Sequence, residues 1–276
     1  MKKVSKLLKR VLLAGVAAAM VISAAGCGSS GGTQSTSAID KIKEKGVLTL
    51  ATASGYPPYE FVSSADNGEV IGIDVALAQK VADKIGVPLK VDDMAFSELI
   101  TTLQSGNCDI VIAGLPETEE RAQAIDFSKV YLNDKQSIIV RAEDAGKYSS
   151  LSDFSGKKVA VEMGSSSETV ARDEMPGADI VSLSLISDVF LELENGSVDA
   201  VVTGEVVGKQ YMISNSALTQ LDIPFQNSDK PASAAVQKGN TELLDIVNSV
   251  IDEVSSDGTM DSWVEEYSQK ASENAQ

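Results

Sequence analysis

Downstream of Ile39 the chain alternates short apolar runs with longer segments in which apolar residues recur every three or four positions. VLTLA (47–51) reads as a strand. In IDVALAQKVADKI (73–85), Val75, Leu77, Ala78, Val81, Ala82 and Ile85 share one helical face, and Gly86 stops the helix. The alternation continues with VPLKVDD (87–93) strand-like, FSELITTLQSG (96–106) helical, DIVIAG (109–114) a buried strand and TEERAQAI (118–125) a short helix with acids at its start. KKVAVEMG (157–164) and VDAVV (198–202) read as strands, SETVARDEM (167–175) and DVFLELENG (188–196) as helices. Residues 240–267 form two helices broken at Asp257-Gly258. Strands alternating with helices of this length predict parallel βα units and an α/β fold.

The N-terminus has a different pattern. Lys2, Lys3, Lys6, Lys9 and Arg10 precede an uninterrupted stretch of apolar or small residues from Val11 to Ala25. That stretch is short for a membrane span and suited to a secretory signal. It ends in Ala24-Ala25-Gly26-Cys27, which resembles a bacterial lipobox, although a larger aliphatic is commoner at the place of Ala24. The resemblance implies a signal peptide over 1–26, lipidation of Cys27 and an extracytoplasmic chain anchored to the cell membrane. The plainer alternative is a free cysteine beside an ordinary cleavage site. The glycine- and serine-rich stretch over 27–37 reads as a flexible linker.

Composition narrows the chemistry. The 276 residues carry 40 acids against 23 bases, a net charge of -17, which repels phosphate backbones and argues against nucleic acid as a partner. Histidine is missing altogether, which excludes Ser-His-Asp and Cys-His catalysis and His-ligated zinc. Cys27 and Cys108 are the two cysteines, with no CxxC, so neither a redox motif nor a cysteine cage is expected, and with Cys27 lipidated no disulfide forms. Cys108 is expected to be a half-buried small residue. Asp92-Asp93 lacks the rest of a calcium loop and reads as a solvated turn. No cofactor and no metal site are expected.

In open α/β sheets, ligands bind beyond the carboxyl ends of strands, where loops meet helix N-termini. Three such junctions carry small residues: AGLPETEER after DIVIA, EMGSSSE after KKVAV and TGEVVGKQY after VDAVV. From spacing alone they are tight βα turns.

Seven stretches, in order over most of the chain, add to that reading: GYPPYEF (55–61), GIDVALAQKVADKIG (72–86), FSELITTLQSGNCDIVIAG (96–114), TEERAQAIDFS (118–128), LSDFSGKKVAVEMGSS (151–166), GSVDAVV (196–202) and KGNTELLDIVN (238–248). They resemble the family 3 extracellular solute-binding proteins, the amino-acid receptors of ABC importers. The resemblance implies a two-lobed periplasmic-binding-protein-like fold of type II, with two crossover strands as a hinge. Lobe 1 would comprise 38–131 and 233–276, and lobe 2 132–232, closing on a ligand in the cleft. It implies a monomer that hands a small amino acid, or an amino-acid-like solute, to a membrane permease.

The same resemblance nominates site residues. Arg121 would pair with the ligand's α-carboxylate, for which a planar guanidinium fork is suited; the competing role is an exposed helix arginine paired with Glu117 or Glu120. Tyr56 and Phe96 would sandwich the ligand's side chain, with a core role as the alternative for Phe96, while Tyr59 and Phe61 are packing residues. Gly114 would turn its carbonyl to the ligand's ammonium. Gly164, Ser165 and Ser166 would offer groups from the second lobe, Ser165 also capping its helix in a capping box with Glu168.

Departures from the family pattern bear on the ligand. The acid that commonly binds the ammonium after VDAVV is replaced by Gly204, with Glu205 next. Pro116 stands for a serine or threonine, and Glu162 for a lysine or glutamine. A buried ammonium without a carboxylate is costly. Either Glu205 or another acid (Glu117, Glu162) compensates, or the ligand is a carboxylate without a standard α-amino group. Two other functions compete with the receptor. One is a dehydratase-like enzyme using one of those acids as a general acid; the other is a sensor acting through a separate partner.

Overall fold

The structure is a computed structural model that describes residues 37–274. The signal segment, Cys27 and the linker up to residue 36 lie outside the described residues.

Two five-stranded sheets organise the chain. In the first, Leu48–Thr52 pairs in parallel with Leu89–Asp93 on one side and Ile110–Val111 on the other. Ala232–Gln237 runs antiparallel between Ile110–Val111 and Ile125–Leu132. In the second, Ala200–Gly204 and Asp179–Leu183 flank Lys158–Glu162 in parallel. Gln136–Arg141 is antiparallel to both Ala200–Gly204 and Leu218–Leu221. The expected parallel βα units are present, and each sheet also contains antiparallel strands. They lie where the chain crosses between sheets, and a strand entering from the other sheet has no helical return to force it parallel.

Two crossovers join the sheets, one at 133–135 and one at 222–231. They run side by side. Gln136 N donates to Ser228 O at 2.7 Å, Lys230 N donates to Asp134 O at 2.9 Å, and Lys135 bridges Asp229.

The helices follow the hydrophobic periodicity. Ile73–Ile85 buries Leu77, Ala78, Val81 and Ala82, and Gly86 takes the left-handed conformation that ends it, with φ at 86°. Thr241–Ser256 buries Leu243, Val247, Val250, Ile251 and Val254, and Thr259–Asn274 follows after Asp257-Gly258. Two further sequence readings are corrected. Asp92-Asp93 closes the strand Leu89–Asp93, and Asp93 accepts from Ser54 N and Ser54 Oγ at 2.8 and 2.6 Å. Cys108 is fully buried, and burial pushes its thiol up to about 12.

Candidate functional site

The loops after the parallel strands of the two sheets face one another across a small cavity. Its wall includes Tyr56, Phe96, Pro116, Glu162, Ser165, Ser166, Ser167, Thr203 and Lys230. The side chains leave about 310 Å³ between them, so constricted that it admits about one water. An outer groove lined by Arg121, Thr118, Gly164, Ser165 and Ser166 leads to it from the surface.

Arg121 stands on the short helix Glu119–Ala124, whose N-cap Thr118 accepts from Arg121 N at 3.2 Å. Its guanidinium donates to Pro116 O at 2.7 Å and, across the cleft, to Gly164 O at 2.9 Å. It also lies over the Phe96 ring, 5.6 Å from the centroid. Burial lowers it to about 10, against the opposing pull of Glu120. Among the described residues no carboxylate makes an ion pair with it, so the pairing with Glu117 or Glu120 does not form. A partly buried cation held by two neutral carbonyls is short of an anion.

Pro116 keeps a part despite having no N–H, because its carbonyl orients Arg121. From the second sheet, Gly164 follows Lys158–Glu162 with φ at 76°. Ser165 caps the helix Ser166–Glu174, its hydroxyl accepting from Glu168 N at 3.1 Å. The reciprocal half of the expected capping box moves one residue upstream: the Glu168 carboxylate accepts from Gly164 N at 2.7 Å. Gln136 pins the same turn, donating to Ser166 Oγ at 3.1 Å and accepting from Ser167 Oγ at 2.7 Å.

Gly114 is held from below. Its N–H donates to Asp74 Oδ2 at 2.7 Å, and Asp74 Oδ1 accepts from Tyr131 Oη at 2.8 Å. Burial raises Asp74 to about 6, although its hydrogen bonds oppose the rise. Burial, and then the charge of Asp74, holds the neighbouring Glu60 well above the usual carboxylate range. The Gly114 carbonyl turns the other way and accepts from Lys230 Nζ at 3.2 Å.

Lys230 is the residue that the sequence did not single out. It is 5% exposed, and its ammonium lies 4.9 Å from the centroid of the Tyr56 ring. Burial alone would lower it, but the Tyr56 phenol and the carboxylates of Asp134 and Glu162 hold it above the usual lysine value. Burial raises Glu162 to about 7, with Lys230 opposing.

The place of the missing acid at Gly204 is also resolved. A Cβ on Gly204 would stand 2.3 Å from Asp134 Oδ2 and 2.9 Å from Tyr56 Oη. Asp134 thus fills the volume that a side chain at 204 would take. Its Oδ1 accepts from Lys135 N and Val206 N at 2.7 and 3.1 Å, while Oδ2 is buried without a hydrogen-bond partner. Glu205 is not the substitute. It pairs with Lys209 one turn along its helix at 2.5 Å and lines a separate surface depression. Glu117 does not line the cavity. Asp134 and Lys230 escaped the sequence reading because each sits in an ordinary Asp-Lys dipeptide of a polar connection, and only the pairing of the two crossovers brings them together.

An open α/β pair of sheets joined by two crossovers, with the polar cavity between their loops, defines a two-lobed periplasmic-binding-protein-like receptor. Residues 48–270 match the bacterial extracellular solute-binding proteins, family 3, and the chain belongs to that family. It is 33% identical over 256 residues to the arginine-binding extracellular protein ArtP of Bacillus subtilis, covering 92% of this chain and 96% of that protein. It is 32% identical to the amino-acid ABC transporter substrate-binding protein AbpA of Streptococcus pneumoniae, bound to L-arginine, with a TM-score of 0.82 over 84% of this chain and 98% of that one. The ancestral amino-acid-binding protein AncCDT-1, a precursor of cyclohexadienyl dehydratase, is 33% identical with a TM-score of 0.77, over 84% and 99% of the two chains. The chain is accordingly a member of a solute-binding family.

Proposed function

We propose that this protein is the extracytoplasmic receptor of an ABC importer, tethered by a lipid on Cys27, which closes on one small amino acid or amino-acid-like carboxylate and delivers it to a membrane permease. The observation that carries the reading is Arg121, a guanidinium at the cleft mouth bonded to carbonyls from both sides of the cleft and to no carboxylate among the described residues. A ligand carboxylate supplies the missing charge bidentately. Phe96 backs the guanidinium, and the capped turn at Gly164 and Ser165 closes over the carboxylate from the second sheet. Relatives named for arginine, cystine and glutamine support the solute class. The leader, basic and then uninterruptedly apolar or small, and the Ala-Gly-Cys boundary support export and the lipid tether.

The test is binding by the Arg121→Ala protein. Thermal unfolding with millimolar carboxylates should show a ligand-dependent rise in Tm in the parent; a ligand at a hundred times its Kd adds about 2.7 kcal/mol. In Arg121→Ala that rise should vanish while the unliganded Tm moves by no more than a few degrees. A variant that keeps the parent's affinity would sink the assignment. Mass spectrometry of the membrane-derived protein checks the anchor separately, by the mass of the lipid on Cys27.

A further inference from the structure

We propose that Lys230 sets the specificity of this cleft: its ammonium already occupies the place that a ligand's α-ammonium would take, so the ligand is a small carboxylate with a neutral, hydrogen-bond-accepting group at the α position. The proposal rests on the reading of Arg121 as the carboxylate anchor.

The cavity offers what an ammonium seeks. It has an inward carbonyl at Gly114, the face of Tyr56, and the buried carboxylates of Glu162 and, behind Tyr56, Asp134. A lysine from the chain itself stands in that place, with Nζ on the Gly114 carbonyl. Lys230 is not a surface side chain that has folded inward. Its backbone N–H is bonded to Asp134 O across the paired crossovers, Pro231 follows it, and the residue is 5% exposed. The chain has thus set its own cation on the Gly114 carbonyl, among the acids of the cleft whose charges hold it protonated, while Arg121 reaches only carbonyls.

A zwitterion entering this cleft would bring a second ammonium up to the first, in a closed space with little water to screen the repulsion. An oxo or hydroxyl oxygen has the opposite effect. Lys230 has three donors, and an acceptor on the ligand takes one that the Gly114 carbonyl leaves over. The vacancy at Gly204 belongs to the same arrangement. Asp134, on the crossover, fills the volume that a side chain at 204 would take, and its charge helps hold Lys230 protonated.

The test compares the parent protein with Lys230→Met and Lys230→Gln, each checked for folding by circular dichroism. The probes are the natural amino acids and their 2-oxo and 2-hydroxy counterparts, screened by thermal shift and measured by calorimetry. The parent should respond to one or more 2-oxo or 2-hydroxy acids and to no free amino acid. The Lys230 variants should bind those acids at least tenfold more weakly and bind the matching amino acid at least tenfold more tightly than the parent does. A parent that binds a free amino acid, with affinity that the variants leave unchanged or weaken, overturns the proposal. If that binding is lost in Arg121→Ala, the receptor reading survives the loss. Binding of any probe that Arg121→Ala retains overturns the carboxylate anchor instead, and silence of parent and variants to every probe overturns both.

Discussion

Asp134 and Gly204 behave as one unit, because the side chain of the first fills the space left empty by the second. Gly204→Ala should cost about 1–3 kcal/mol, since the new Cβ would meet an Asp134 carboxylate already fixed by two backbone N–H groups. In the Asp134→Ala background the same substitution should cost at least about 1 kcal/mol less, a coupling read from the four corners of a denaturation cycle. Additive costs would mean that the two positions do not share that volume. Glu162 makes a second prediction, through pH. Its carboxyl is raised from 4.5 to about 7 by burial, so between those values the unfolded chain gives up its proton before the folded one does. Stability therefore falls as pH rises across that window, by at most about 3 kcal/mol, and the loss is complete above pH 7. Asp74, raised to about 6, adds a smaller fall of the same sign. Glu162→Gln should flatten the decline of Tm between pH 4.5 and 7 without abolishing it. A parent whose Tm rises over that range would contradict the burial of both acids.

At the scale of elements, the turn at Gly164 shows how a helix start becomes one wall of a site. Ser165→Ala removes the acceptor for Glu168 N and should cost about 1 kcal/mol, as loss of a serine cap generally does. Because the capped turn also presents Gly164 O to Arg121, ligand affinity should fall in the same variant; a drop in Tm with unchanged affinity would separate the cap from the site. Elements of this kind were legible in the sequence. The Ser-x-x-Glu spacing marks the cap, and the apolar faces of Ile73–Ile85 and Thr241–Ser256 are periodic enough to place both helices within a residue or two. The strand Ala232–Gln237 was not legible. Its residues are small and buried almost throughout, so no alternation of apolar and polar positions marks it, and its antiparallel direction is fixed by where the crossover delivers it. The site divided along the same line. Tyr56, Phe96, Ser165 and Ser166, which line the cavity, were nominated by the resemblance to the family, since their spacing alone marks only tight turns and helix starts. Lys230 and Asp134 were not, since their meeting depends on contacts between segments distant in sequence. Glu205, one of the acids the sequence left open as a substitute, has a local partner that its helical spacing already offered: Lys209, one turn along.

At the scale of the molecule, ligand affinity depends on how readily the two sheets close on each other as well as on the groups that touch the ligand. Closure is held by a few contacts between the sides, and one of them lies apart from the cavity. Tyr211, on the helix Glu205–Ser214 of the second sheet's side, donates its hydroxyl to Gly55 O on the first at 2.8 Å. Its ring stacks on Phe190, with centroids 3.6 Å apart, and that stack belongs to the second side alone. Tyr211→Phe therefore deletes one bond between the two sides and leaves the packing that supports the helix. A net hydrogen bond is worth about 1 kcal/mol. If the free protein is mostly open, losing that much shifts the closed fraction, and with it the apparent affinity, by about fivefold. The expected result is a ligand Kd weakened by about that factor, with a thermal stability of the unliganded protein that barely moves. Small-angle scattering should show the ligand still compacting the variant at saturation, because the bond biases closure without defining the closed state. A Kd equal to the parent's would mean that the contact between Tyr211 and Gly55 is formed equally in the open protein, and that closure is governed by the other contacts between the sides, among them Arg121 to Gly164 O and Gln210 to Ser268 O.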